Sequence, residues 1–177
     1  MKNGMIPDKT ANFKVYVDTA AKANNLAGVS DELKCPTLDF LTQTLKMAGF
    51  SGEFDSPALG QLKNMEVEIK FSGVSKEGMA LAASDSKPII IRSAQEFIDP
   101  ETGCKDTINR TVTIRGMTTQ INLGSLKVGG TGDPSIKKSV SCYTEEIDGE
   151  IVTDINKFTG RCIIAGVDLT EKIQKYI

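Results

Sequence analysis

The chain contains no histidine, and that absence removes the usual imidazole general base, the Ser-His and Cys-His nucleophile pairs and the commonest transition-metal ligand. Most familiar hydrolase mechanisms go with it. Tryptophan is absent too and tyrosine numbers three, which weakens a reading as an aromatic platform for glycans. The four cysteines, Cys35, Cys104, Cys142 and Cys162, include no Cys-x-x-Cys pair. In a reducing compartment they are most economically free thiols, and a Cys142 to Cys162 bridge stays open. No segment approaches the ~20 apolar residues of a membrane span. Residues 1–10 lack the continuous apolar core of a signal peptide, so folding in the cytosol is expected. The net charge of −2 leaves no basic footprint for reading nucleic acid. Internal repeats and low-complexity runs are missing as well.

What remains is an ordinary globular composition, 40% hydrophobic and 25% charged over 177 residues, and a single domain spanning 1–177 is the expectation. Residues 1–12 read as a loose arm. Phe13, Val15 and Val17 alternate with Lys14 and Tyr16, the period of a half-buried strand over 12–18. An Ala/Asn-rich connection over 20–28 leads to Pro36 and a second extended segment with Leu38, Phe40, Thr42 and Thr44 on one face. Residues 46–60 hold three glycines, a proline and the apolar Met47, Phe50, Phe54 and Leu59 without a sustained period. This reads as a long loop too apolar to stand in water without a cover.

Met65, Val67, Ile69 and Phe71 then alternate with charge, the clearest strand of the chain. Ser75 can cap a short helix through Ala83, with Glu77 in its first turn and Met79, Ala80 and Ala83 on the apolar side. Two β-branched runs, 88–98 and 106–117, flank the turn residues 99–103 and predict a hairpin with Ile108, Arg110, Val112 and Ile114 on one face. A loop with four glycines covers 122–134, and Ile136, Val140 and Cys142 alternate toward Ile147. Asp148-Gly149 suits a type I′ turn. Strands over 151–156 and 161–165 follow, and Asp168-Leu-Thr-Glu171 resembles a capping box opening a C-terminal helix over 168–177, with Leu169, Ile173 and Tyr176 inward. The fold class is mainly β: an antiparallel barrel or sandwich of about eight strands with one short internal helix and a short C-terminal helix.

No catalytic constellation survives inspection. Gly124-Ser-Leu-Lys-Val-Gly129-Gly130 has glycine where a phosphate loop needs lysine, and no long helix follows. Glu145, Glu146, Asp148 and Glu150 cluster at one hairpin and read as its solvated tip, not as an acid/base pair. Ser51, within Gly49-Phe-Ser-Gly52, lacks nucleophile-elbow spacing. Asn109-Arg-Thr111 has the letters of a glycosylation sequon on a cytosolic strand, where it is irrelevant. The chain is expected not to be an enzyme and to need no cofactor or metal.

The ordered landmarks carry more. Pro36-x-Leu38-x-Phe40 leads into Lys46-x-Ala48-Gly49-Phe50-x-Gly52-Glu53-x-Asp55-x-Pro57, followed by Gly60, Met65 and Ile69-x-Phe71. Farther on come Asp99-x-x-Thr102-Gly103, a strand end at Val112-x-x-Arg115-Gly116, Leu126-x-Val128-Gly129-Gly130, Asp148-Gly149, Ile155-Asn156 and Gly166-Val167-Asp168. In this order the chain resembles, nearly end to end, the major tail tube protein of contractile-tailed bacteriophages and related phage-tail-like bacteriocin particles. It departs from that pattern in the Ala/Asn-rich insert and over 157–164.

The resemblance implies a structural subunit that self-assembles into hexameric rings, stacked as the hollow inner tube of a contractile tail. Copies of itself, the tail sheath protein and baseplate, initiator and terminator proteins are the implied partners. DNA would pass through a neutral or acidic lumen without specific binding, and no membrane is involved. The protein would be made in the bacterial host cytoplasm and end in a virion tail or an extracellular tail-like particle. The 46–60 loop becomes an assembly loop, with Met47, Ala48, Gly49, Phe50, Ser51, Gly52, Glu53, Phe54 and Asp55 as the self-assembly interface. Two other classes compete: a monomeric β-barrel binding a small ligand or glycan, which needs a concave apolar pocket with convergent polar groups, and an enzyme, which turnover by the monomer would reveal.

Overall fold

A computed structural model describes residues 4–20, 25–26, 28–30, 32–83 and 87–176. Part of the Ala/Asn-rich connection and the ends of the expected arm and C-terminal helix lie outside the described residues. The expected antiparallel, mainly β architecture is present as an eight-stranded sheet and a separate two-stranded one.

The sheet is built on three long neighbours: β5 (Ile89–Ile98), β6 (Lys105–Asn122) and β7 (Ser135–Ile147). β5 and β6 form the expected hairpin, closed where Asp99 N–H donates to Cys104 O at 2.9 Å. β8 (Glu150–Asn156) returns from β7 through Asp148 and Gly149, both at positive φ (53° and 81°), the backbone of a type I′ turn. β9 (Arg161–Ile164) and the two-residue β10 (Val167–Asp168) complete that side. β4 (Met65–Lys70) pairs with residues 135–140 of β7, and β8 pairs with 142–147, so the two lie end to end along one flank of β7. β1 (Ile6–Val17) covers the outer side of β5. Among the described residues the path runs from β1 to β10 and does not join into a closed barrel.

Alternation places the core as expected on β4, where Met65, Val67 and Ile69 are buried and Glu66 and Lys70 exposed. Val15, Ile89, Ile91, Val112, Ile114, Val140, Tyr143 and Ile155 meet them. Helix α1 (Lys76–Ala83) starts as expected: Ser75 Oγ accepts from Gly78 N–H at 3.0 Å. Its buried face is Gly78, Leu81 and Ala82, while Met79 is exposed, so the expected Met79/Ala80/Ala83 stripe is wrong by about one position. Leu81 is the one large aliphatic side chain of the helix and sets its rotation. Lys138, 1% exposed on an otherwise apolar face, donates to Thr118 Oγ1 at 2.9 Å, and Thr118 Oγ1 donates to Ala82 O at 2.7 Å, tying the end of the helix to the sheet.

Other expectations need correction. The arm is paired from Ile6 onward; register shifts at Pro7/Lys9 and Thr10/Asn12 break its alternation and hid the strand. Residues 46–60 are not a structureless loop: β2 (Phe40–Leu45) and β3 (Phe54–Leu62) form a hairpin whose tip is 46–53. Pro57 and Gly60 read as breakers, but each strand of a two-stranded ribbon is an edge, where proline is tolerated. Gly116 does not end a strand, because β6 continues to Asn122 through a bulge at Arg115/Gly116. That bulge also puts Cys142 out of phase with Ile136 and Val140, and Tyr143 faces the core instead. α2 (Glu171–Gln174) is one turn with no side-chain cap. The Asp168 carboxylate accepts from Thr170 N–H at 2.8 Å and Thr170 Oγ1 at 2.7 Å. One turn makes no stripe, so Leu169 packs on the core while Ile173 and Tyr176 face solvent.

Candidate assembly surface

The β2–β3 hairpin stands outside the main sheet and is tethered at its base. Leu38, Phe40 and Leu62 pack against the core, and Lys63 N–H donates to Asp39 O at 2.7 Å. At Gly60, φ is +75° and a Cβ would lie 2.1 Å from Thr170 Cγ2, so the ribbon leaves the body at a point where only glycine fits. Farther out, Thr44 Oγ1 donates to Asp55 Oδ1 at 2.7 Å and Lys46 Nζ pairs with Glu53 Oε1 at 2.9 Å. Phe50 N–H donates to Met47 O at 3.1 Å and Gly49 takes φ +93°, which closes the tip. All nine residues from Met47 to Asp55 are gathered there and all are exposed. Phe50 is 56% and Phe54 57% exposed, with Met47 and Leu59 alongside. A ribbon with polar ties near its tip and aromatic rings in water presents an apolar surface on a firm support.

Two strand edges add to it. β1 pairs only with β5 among the described strands, and β5 stops opposite Ile114, so the last eight residues of β6 have no strand on that side. Residues 25 and 26 cover the far end of the β1 edge, through a Tyr16–Asn25 bridge and Leu26 N–H donating to Val15 O at 2.7 Å, and the rest of both edges can template pairing with another chain. At the start of β1, Lys105 Nζ lies 2.8 Å from Asp8 and 3.3 Å from Glu96. The Lys105 hydrogen bond holds the Asp8 carboxyl below its ordinary pKa, and the Asp8 bond, then that of Glu96, raises Lys105.

Two features differ from what their sequence pattern suggests. Glu145, expected at a solvated tip, faces inward: Arg110 Nε donates to it at 2.6 Å, Tyr143 Oη at 3.2 Å, and Cys35 Sγ lies 3.9 Å from Arg110 Nη2. Burial, then the Glu145 charge, pushes the Tyr143 phenol upward. Burial works to lower the Arg110 pKa, and the Glu145 hydrogen bond and charge outweigh it. This carboxylate is fully engaged in an ion pair, and the alternation of β6 and β7, which faces Arg110 and Glu145 alike toward the core, was the signal available. The second is the apolar pair Leu126 and Val128 in the β6–β7 connection, where nothing in the sequence assigned a contact.

The chain exposes 11600 Å², against about 8,400 Å² for a compact monomer of this mass. An area above the compact value accords with a β2–β3 hairpin and a β6–β7 connection that project from the sheet. No curated protein matches the chain. Among solved structures it is similar to a chain of the PVC sheath-tube complex of an extracellular contractile injection system in the extended state, with 12% identity over 82% of this chain and 93% of that chain and a TM-score of 0.50. It is also similar to a chain of the PVC sheath/tube terminator, with 12% identity, 77% and 94% coverage and a TM-score of 0.48. The family described as phage tail tube protein FII matches residues 7–177, essentially the whole described sheet, and the chain belongs to that family.

Proposed function

We propose that this tail tube protein assembles with its own copies into hexameric rings that stack as the hollow inner tube of a contractile phage tail or phage-tail-like particle, and that it catalyses no reaction. The observation that carries the reading is the apolar tip of the β2–β3 hairpin, where Met47, Phe50 and Phe54 are each more than half exposed, beside the open edges of β1 up to Lys14 and of β6 beyond Ile114. In a ring each copy meets two neighbours through different patches, so a protruding hairpin and an open edge can both be used in every subunit. The sheath protein would contact the tube's outside, initiator and terminator proteins its ends, and DNA its lumen without specific binding. Synthesis in the host cytoplasm followed by incorporation into the particle fits this role.

Met47, Ala48, Gly49, Phe50, Ser51, Gly52, Glu53, Phe54 and Asp55 form the proposed self-contact. A phenylalanine presents roughly 200 Å², so burying the exposed part of Phe50 or Phe54 removes on the order of 110 Å² and contributes about 2.8 kcal/mol per ring. Negative-stain electron microscopy over a concentration series tests the reading: hollow tubes or rings of uniform diameter are expected. Monomers at every concentration, even with initiator proteins added, would instead turn attention to a ligand-binding module. Phe50→Asp with Phe54→Asp should abolish tubes while leaving the monomer folded, because both rings are already in solvent. Tubes as abundant as wild type would remove the hairpin tip from the interface.

A further inference from the structure

Leu126 and Val128 are 105% and 109% exposed, as open as side chains on an extended peptide, so no part of their own chain touches them. The segment that carries them is nevertheless braced. Ser125 N–H donates to Gly132 O at 2.8 Å, Gly132 N–H to Ser72 O at 3.4 Å, Gly130 N–H to Lys127 O at 3.3 Å, and Gly124 N–H to Asn122 Oδ1 at 2.9 Å. A Cβ on Gly124 would lie 2.2 Å from Gly132 O, so the two sides of the connection pass too closely for any other residue. Residues 123–134 are thus a stalk holding out Leu126-Lys127-Val128, and such a tip needs a complement.

The same chain presents one. Between β1, residues 32–35 and the β5–β6 face lies a cavity of about 400 Å³ with an apolar floor of Phe13, Leu33, Ile91 and Val112. Its volume falls within the roughly 300–1,000 Å³ of small-ligand pockets, which leaves room for the seven side-chain carbons of a leucine and a valine. Glu32 lines it with its side chain 66% exposed and, among the described residues, a 3.9 Å contact to Lys34. Arg110, in the wall, is neutralised by Glu145 at 2.6 Å and does not repel an incoming cation. The stalk cannot reach its own cavity. β6 runs from Val112, in the cavity floor, to Asn122, at the stalk's root, and ten strand residues span about 33 Å.

We propose that the Leu126-Lys127-Val128 tip of one copy seats in the Phe13/Leu33/Ile91/Val112 cavity of the next, with Lys127 against Glu32. Plug and socket are different patches of the same chain, so the contact is heterologous and propagates from copy to copy. The inference rests on the self-assembly proposed above and adds a second contact to it, distinct from the β2–β3 tip.

Cys35 lines the cavity, which allows a direct trap. In a Cys104→Ser, Cys142→Ser background, Val128→Cys places a thiol on the plug. After assembly and mild copper-catalysed air oxidation, a non-reducing gel should show a ladder of multimers that vanishes with Cys35→Ser. Tubes without a Cys35-dependent ladder overturn this contact and leave the proposed function standing. Wild-type protein that forms no tubes under any condition overturns both. Should the cysteine variant fail to assemble where wild type does, exchange of charge decides. Lys127→Glu and Glu32→Lys should each raise the critical concentration several-fold, and together bring it within about twofold of wild type, the behaviour of a paired contact. A combined variant no better than either single one overturns the proposal.

Discussion

Gly116→Ala is a sharp test of how β6 and β7 are joined, because the obstacle there is backbone and cannot rotate away. A Cβ at this position would lie 2.2 Å from Ser139 O, 2.9 Å from Ser139 C and 3.0 Å from Val140 Cα. Non-bonded carbon needs about 3.5 Å, so the strands must part locally by roughly 1 Å. Ladder bonds near 2.9 Å would then stretch to about 3.9 Å, beyond the range of a hydrogen bond. About two flanking bonds are lost, each leaving buried groups unmade at about 1–2 kcal/mol, so the variant should be about 2–4 kcal/mol less stable. Its midpoint should fall by about 5–15 °C at this chain length. Urea unfolding of the dilute monomer measures it, with Gly73→Ala as control: that glycine has no heavy atom within 4 Å of a Cβ and no positive φ, and its replacement should stay within about 0.5 kcal/mol. A Gly116→Ala protein as stable as the control, at equal m-value, would refute the close approach of the two strands.

Tyr143→Phe should flatten the alkaline limb of the stability curve. Burial, reinforced by the Glu145 charge, raises the folded pKa of Tyr143, whereas the unfolded phenol ionises near pH ~10. Above that value the unfolded chain holds fewer protons than the folded one, so stability fully present below about pH 10 is lost as pH rises toward the folded pKa. Urea midpoints at about pH 9 and about pH 11 report it, and an unchanged slope in Tyr143→Phe contradicts the assignment. Asp8→Asn should release the beginning of β1. The lowered Asp8 and raised Lys105 pKa values mean the clamp holds between about pH 4 and about pH 10, losing Asp8 below and Lys105 above. Amide exchange at residues 6–10 should speed up at neutral pH while exchange on β6 does not; uniform change across both strands argues against a local clamp. Ile114→Ala, at a residue with 0% exposure, should cost about 2–5 kcal/mol by urea unfolding. A loss under about 1 kcal/mol would mean the site collapses freely around the gap.

How much of this was legible in the residues depended on whether a pattern was local. β4 was readable because Met65, Val67 and Ile69 face one buried side without interruption. The turn at Asp148-Gly149 was readable because its backbone demands those residue types. Bulges defeated the same reasoning. One extra residue reverses every later side chain, so plain alternation points Cys142 inward where Tyr143 is, and the irregular start of β1 reads as a loose arm. Proline and glycine in β3 argued against a strand only on the assumption that it lay inside a sheet, and nothing within 46–60 says that β2 is its sole partner.

The proposed assembly residues were visible for the opposite reason: they fit no pattern at all. Met47, Phe50 and Phe54 occupy a stretch with neither helical nor strand period, and the structure leaves all of them exposed at one hairpin tip. Leu126 and Val128 stand among glycines in the same way and are more exposed still. Lack of a period alone does not mark a contact, since Leu26 lies outside any strand and still joins the core. Lack of a period together with exposure sets Met47, Phe50, Phe54, Leu126 and Val128 apart. The unpaired flanks of β1 and β6 follow different logic, since an edge depends on which strand is missing beside it and not on its own letters. Which apolar residues stand outside the strand pattern is therefore legible in the sequence, and which strand edges stay open is not.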